Sequence, residues 1–347
     1  MKKILAIAIA GAVSAIAVPA MAETTVYGQL HASYDLLDAD GAAVKSKNTV
    51  ASNSSRVGVK GSADLNGGLK AIYQAEWGID TGGANGSPVG NGSGGGKPTL
   101  SNRNQVVGVA GGFGAVLLGR HDTPMKIVGR KADLFWSTQL GQNRSILNAK
   151  VWDQRANNVI AYQSPKMGGF QALAAYVTDI AGSDDNTATS INGFYNAGPL
   201  MLGAGYETHD VKGAGDENAY RLMGSYKIGA AKIVGMYQDE TNDSTVAGLL
   251  GGDGRDATVF GIGASYKLGA GTIKGQYYTR DIDKTSKDPD LIAIGYDHKL
   301  GAKTEVYAQY ATISEGATLG GNGHGESIKS TSGGDADGIS FGIRHKF

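Results

Sequence analysis

The 347-residue chain has no cysteine, only seven prolines and no formal net charge, its 32 basic side chains matching 32 acidic ones. Without cysteine there is no disulfide to staple a small core and no thiolate for nucleophilic or metal chemistry. A balanced charge excludes the broad basic surface from which nucleic-acid-binding proteins draw most of their affinity. Beyond the N-terminal segment no stretch reaches about 18 consecutive apolar residues, so no helix is predicted to cross a membrane. The histidines His31, His121, His209, His298, His324 and His345 are scattered, and none forms an H-x-x-x-H pair. No metal or cofactor is therefore expected.

What the chain does have is 55 glycines and 16 tyrosines, a composition suited to many strands, tight turns and aromatic girdles. It opens with Lys2-Lys3, an apolar run from Ile4 to Val18 and the small-x-small site Ala20-Met21-Ala22. This pattern predicts a secretory leader over residues 1–22, cleaved so that the mature chain begins at Glu23. Residues 23–347 are expected to form one domain.

Within that domain, segments of about ten residues alternate apolar and polar side chains. Val26, Leu30, Ala32 and Tyr34 share one face, and Tyr27, Gln29, His31 and Ser33 the other. Val57 and Val59 oppose Arg56 and Lys60; Tyr73, Ala75 and Trp77 oppose Gln74 and Glu76. The last strand carries Ile339, Phe341, Ile343 and the terminal Phe347 on one face, with Ser340, Arg344 and Lys346 on the other. Such a strand suits a wall with lipid on one side and water on the other.

The connections take turns in length. Short Gly-bearing turns fall at Asp64–Gly68, Gly111–Gly114, Pro165–Gly169, Asn196–Pro199, Lys227–Ala231, Lys267–Gly271 and Lys299–Lys303. Long polar segments fall near 36–52, 80–99, 121–154, 179–187, 207–217, 239–257, 281–290 and 312–336. Seven short and eight long connections imply 16 strands. The expected fold is all-β: a 16-stranded antiparallel transmembrane β-barrel, closed because an open sheet edge in hydrocarbon would leave backbone groups unpaired. A barrel of this size is too wide for side chains to fill, so it should hold a water channel. Charged side chains facing lipid at mid-membrane cost ~2–4 kcal/mol, so Arg56, Lys60, Arg103, Arg120, Arg221 and Lys274 are expected in the lumen. The phases near 103–110 and 290–298 are the least regular.

These residues also resemble the general porins of Gram-negative bacteria, of the beta- and gamma-proteobacterial type. The likeness rests on Val26-Tyr27-Gly28-Gln29, Ser55-Arg56-Val57-Gly58-Val59-Lys60-Gly61, Gly112-Phe113-Gly114, Leu118-Gly119-Arg120-His121-Asp122-Thr123-Pro124, Arg155-Ala156-Asn157-Asn158-Val159, Tyr162-Gln163-Ser164-Pro165 and the C-terminal Ile343–Phe347. The resemblance implies a homotrimer in the outer membrane and a third loop folded into the barrel. It also implies a second loop, Thr81–Thr99, reaching a neighbouring subunit, and a terminal Phe347 read as a signal by the barrel-assembly machinery. The implied function is passive diffusion of small hydrophilic solutes and ions.

The third loop, 121–154, is the longest connection after a barrel strand, and its centre Lys131–Trp136 is apolar enough to pack on a wall. The family pattern sets a basic wall against acidic residues on this loop. Here the wall candidates are Arg56, Lys60, Arg103 and Arg120. The loop itself carries Lys126, Arg130, Lys131, Arg144 and Lys150 against Asp122, Asp133 and Asp153, with no clear acidic cluster. A weak preference for anions is expected, the alternative being that these charges pair or face solvent and leave little selectivity.

Some motifs look chemical and are better explained by the strands. Gly338-Ile339-Ser340-Phe341-Gly342 fits G-x-S-x-G but lies inside the closing strand, and Gly90–Gly95 fits G-x-G-x-x-G with no helix after it. No catalytic residues are assigned. Paired aspartates such as Asp38/Asp40 and Asp335/Asp337 are expected on the outer rim, as solvated charge or cation contacts. A substrate-specific channel for anions or sugars, a barrel hydrolase and an adhesin remain as alternatives.

Overall fold

A computed structural model describes residues 23–347 except 43–44, 83–99, 181, 183–184, 321–325 and 332. The expected leader, the G-x-G-x-x-G segment and most of the second loop lie outside the described residues.

Sixteen antiparallel strands close into one barrel. They are β1 (Glu23–Ala39), β2 (Ser46–Ser52 continued by Arg56–Asp64), β3 (Lys70–Ile79), β4 (Leu100–Gly111), β5 (Gly114–Asp122), β6 (Arg155–Gln163), β7 (Phe170–Val177) and β8 (Thr187–Ala197). The second half comprises β9 (Leu200–Asp210), β10 (Asn218–Ile228), β11 (Ala231–Thr241), β12 (Ala257–Leu268), β13 (Gly271–Ile282), β14 (Asp290–Lys299), β15 (Thr304–Ile313) and β16 (Ala336–Lys346). Each strand pairs with its neighbours in sequence, and β1 closes on β16 from Gln29↔Lys346 to Ala39↔Ala336. Closure leaves no sheet edge, which is what a hydrocarbon environment demands. All seven short turns stand where the sequence puts them.

The first long connection is shorter than expected. Instead of spanning 36–52, it runs only from Asp40 to Lys45, because β1 extends to Ala39 and β2 begins at Ser46. The alternation continues past the predicted strand end, with Asp35, Leu37 and Ala39 all buried on the inner side.

The outer face is apolar. Val26, Leu30, Tyr34, Leu202, Tyr220, Phe260, Ile294, Phe341 and Ile343 are all exposed on it. In water such a belt would be a severe liability; in a bilayer it is the anchoring surface. The terminal Phe347 exchanges backbone hydrogen bonds with Gly28 at 3.3 and 3.2 Å, and its ring lies where a side chain at Gly28 would be.

The third loop folds inward. Thr123 caps α1 (Pro124–Ala132): its Oγ1 accepts from Lys126 N at 3.3 Å, and Pro124 fills the first turn. Met125, Val128 and Ala132 form the helix's buried stripe against the inner wall of β8–β11. Gly205 on β9 admits the helix, since a β-carbon there would come within 3.0 Å of Val128. The rest of the loop is tied by wall side chains: Gln276 Nε2 donates to Gly141 O at 2.7 Å, Gln309 Nε2 to Leu140 O at 3.1 Å and Asn192 Nδ2 to Pro124 O at 2.8 Å. A short helix, α2 (Ala149–Trp152), ends the loop, and α3 (Ser244–Leu250) lies in the sixth long connection.

Candidate functional site: the pore constriction

Where α1 narrows the lumen, charged side chains from five strands and the loop converge. Glu76 on β3 is the first centre. Arg103 Nε donates to its Oε1 at 2.5 Å, Arg56 Nε stands 3.4 Å from its Oε2, and Tyr27 Oη donates to Oε2 at 3.0 Å. Asp122, the last residue of β5, is the second. It lies 3.3 Å from Lys126 Nζ, 3.0 Å from Arg155 Nη2 and 3.7 Å from Arg130 Nη1. Arg155 is further fixed by Asn104, whose Oδ1 accepts from its Nε at 2.8 Å.

Five cations thus surround two carboxylates. The carboxylates are covered, with side chains 8% and 4% exposed, whereas Arg130, Arg56 and Arg103 are 37%, 26% and 20% exposed. Water in the lumen therefore meets guanidinium groups, and the acids lie behind them. Burial drives the Lys126 ammonium down to about 8, against the opposing pull of Asp122 and Asp153. Arg130 also sits 6.0 Å from the centre of the Trp136 ring.

The expected residues divide into three groups. Arg56, Arg103, Asp122, Lys126 and Arg130 meet in this cluster. Lys60 faces the lumen at a distance, its Nζ 5.2 Å from the Tyr27 ring, and Lys131 is exposed at the end of α1. The other two are corrections. Arg120 follows Val116 and Leu118 on the outer face, pairs with Gln105 and donates from Nη1 to Asn157 Oδ1 at 2.5 Å. Strand alternation from Leu118 carries it away from the lumen. Asp133 is buried in the loop itself, accepting from Phe135 N at 2.8 Å, Asn143 N at 3.2 Å and Gln276 Nε2 at 2.9 Å. It pins the loop to the wall. Burial holds its carboxyl up at about 6, against these hydrogen bonds.

The acidic side of the constriction was sought on the loop and stands mainly on the wall, at Glu76. Its phase in β3 already pointed inward. Arg155 was visible only as part of a motif; its position directly after the loop, opening β6, is the signal that would have found it. The irregular phase near 103 also has a cause. Ala75 pairs with Gln105 and Trp77 with Asn102, so Glu76 faces both Arg103 and Asn104. This β-bulge turns both residues inward, Arg103 to Glu76 and Asn104 to Arg155.

This architecture has relatives. Residues 6–318 match the family model for the Gram-negative porin. The chain belongs to the Gram-negative porins. It is 31% identical to outer membrane porin protein 32 of Delftia acidovorans, over the whole of both chains. It is 26% identical to major outer membrane protein P.IB of Neisseria gonorrhoeae, again over both whole chains. Among solved structures it matches the anion-selective porin from Comamonas acidovorans with a TM-score of 0.78 at 28% identity, covering 94% of this chain and 100% of that one. This porin is an outer-membrane protein of a Gram-negative bacterium, and its closed barrel is the family's fold.

Proposed function

We propose that the protein forms a water-filled channel for passive diffusion of small hydrophilic solutes and ions, with a preference for anions. The observation that carries the preference is the constriction: five cations against two covered carboxylates, with three arginines facing the lumen. A passing anion meets a positive field at the narrowest point, and a cation pays to cross it. The likeness to an anion-selective porin supports this. The direct test is the zero-current potential of the folded protein in a planar bilayer across a KCl gradient. A potential set by chloride supports the preference; one set by potassium overturns it.

We further infer a homotrimer, associating through the outer face of β2–β5. From Val50 to Leu118 the exposed large apolar residues among those described are aliphatic except for Phe113 in a short turn. The remaining outer face carries Tyr176, Tyr195, Tyr206, Tyr220, Tyr237, Phe260 and Tyr266. A belt that faces lipid wants interfacial aromatics, and one that faces protein does not. Arg120, hydrogen-bonded to Asn157, and Gln105, hydrogen-bonded to Asn102, put polar groups on this smooth face that a neighbouring subunit would accommodate better than lipid. Export by residues 1–22 and recognition of Phe347 during assembly complete the proposal. Stepwise conductance in groups of three supports the trimer, and single equal steps from a monomeric species would refute it.

A further inference from the structure

Below the constriction the inner wall carries a second basic group that the cluster around Glu76 and Asp122 does not include. Lys227 is the penultimate residue of β10 and Lys232 the second of β11, and the two stand directly opposite each other. Both face the lumen: they continue the inward series Arg221, Met223, Ser225 on β10 and Gln238, Met236, Val234 on β11. They flank a short turn, which places them at the periplasmic mouth. Like charges in directly opposed positions repel one another. Lys131, exposed at the C-terminal end of α1, which packs against β10 and β11, adds a third ammonium to this wall.

Among the described residues, none of these three has a carboxylate within ion-pair distance. The contrast with nearby cations is informative. Lys274 on β13 is paired with Asp297 at 2.9 Å, and Arg344 on β16 with Glu305. The barrel neutralises lumenal cations where neighbours allow, yet here it clusters three without acids. Ser265, opposite Lys232 in register, adds a hydroxyl to the same inner face.

We propose that Lys131, Lys227 and Lys232 form a second anion subsite on the periplasmic side of the constriction, taking a multiply charged oxyanion of the phosphate class. Three ammonium groups without counter-charges gain most from a ligand that satisfies several of them at once. The subsite deepens the anion preference proposed above and rests on it. It adds a stopping place beyond the narrow point and makes the two ends of the pore unequal.

The test uses the folded full-length protein in planar bilayers, oriented in one direction, with inorganic pyrophosphate added to one side at a time. Pyrophosphate on the periplasmic side should block the chloride current at a lower concentration than on the outer side. The double variant Lys227→Gln/Lys232→Gln should raise the periplasmic half-blocking concentration about tenfold, which corresponds to ~1.4 kcal/mol. Its zero-current potential in a KCl gradient should still be set by chloride, because the arginine cluster is untouched. Should the double variant fail to fold, Lys131→Gln on the inward loop should raise the same concentration about threefold. Unchanged block in the variants, or no block of the wild type from the periplasmic side, overturns the subsite. A wild-type potential set by potassium instead overturns the anion preference, and the two failures are thus separable.

Discussion

Arginine serves two purposes inside this barrel, and the constriction and the loop anchor show them side by side. At the constriction, Arg56, Arg103 and Arg130 stand partly open to the lumen in front of covered carboxylates. At the anchor, Arg221 has no exposed surface. Its Nε donates to Gln238 Oε1 at 2.7 Å, its Nη1 donates to Met125 O at 3.0 Å, and Asp153 lies 3.6 Å away. Arg280 continues the network, with Nη2 on Glu240 and Nη1 on Asp253, each at 2.5 Å. The first group projects a field into water; the second stitches loops to the wall and projects almost none. A buried ion pair contributes little net stability, but removing one partner is costly. Charge count alone therefore says nothing about selectivity until each cation is assigned to one purpose.

Substitutions can separate the two. Arg221→Met should have the largest effect on stability, ~1–3 kcal/mol for each of the buried acceptors Gln238 Oε1 and Met125 O that lose their donor, while Asp153 keeps Arg144 at 2.5 Å. Denaturant unfolding should show the loss, and the loosened third loop should give a larger, noisier single-channel conductance that keeps the wild-type sign of selectivity. Neutralising Arg56, Arg103 and Arg130 together with Glu76 to Gln should do the reverse. No covered carboxylate is then left without a cation, so stability should change little, while Lys126 and Arg155 remain to face Asp122 and the zero-current potential in a KCl gradient should fall.

A smaller effect should follow from pH. Lys126 carries its charge below about 8 and loses it above. Anion preference should decline between pH 7 and pH 9, and Lys126→Arg should remove that decline. Smallest of all, Asp243→Ala removes the cap of α3, whose Oδ1 accepts from Thr245 N at 2.7 Å. A slight loss of stability is expected, with conductance and selectivity unchanged.

The strand number, the closing strand and the inward loop were legible in the sequence because lipid and water impose a two-residue period on everything between them. Leu37 and Ala39 extended that period past the predicted strand end, since the rule that places residues within the membrane still holds just above it. The constriction was less legible. Arg120 and Arg103 are both arginines in strands: alternation carries Arg120 outward, against the cost of a charge facing lipid that placed it in the lumen, and the bulge hides the phase of Arg103. Asp133 reads as a pore acid but is consumed by the loop's own backbone. Glu76 and Arg155 meet the loop only through the closed barrel, and no local pattern reports that meeting.

The bulge at Arg103–Asn104 means that β4 is written in two frames, Leu100–Arg103 and Asn104–Gly111, offset by one residue. Deleting Asn104 would merely erase the bulge and leave Arg103 facing Glu76, whereas deleting one residue within the lower frame, such as Val107, would turn everything above it inside out. Arg103 would then be delivered to the outer surface and Glu76 would lose its 2.5 Å partner. For this porin the spacing between residues is as much a determinant of the pore as the residues themselves, and insertions or deletions in β4 should be far less tolerated than substitutions.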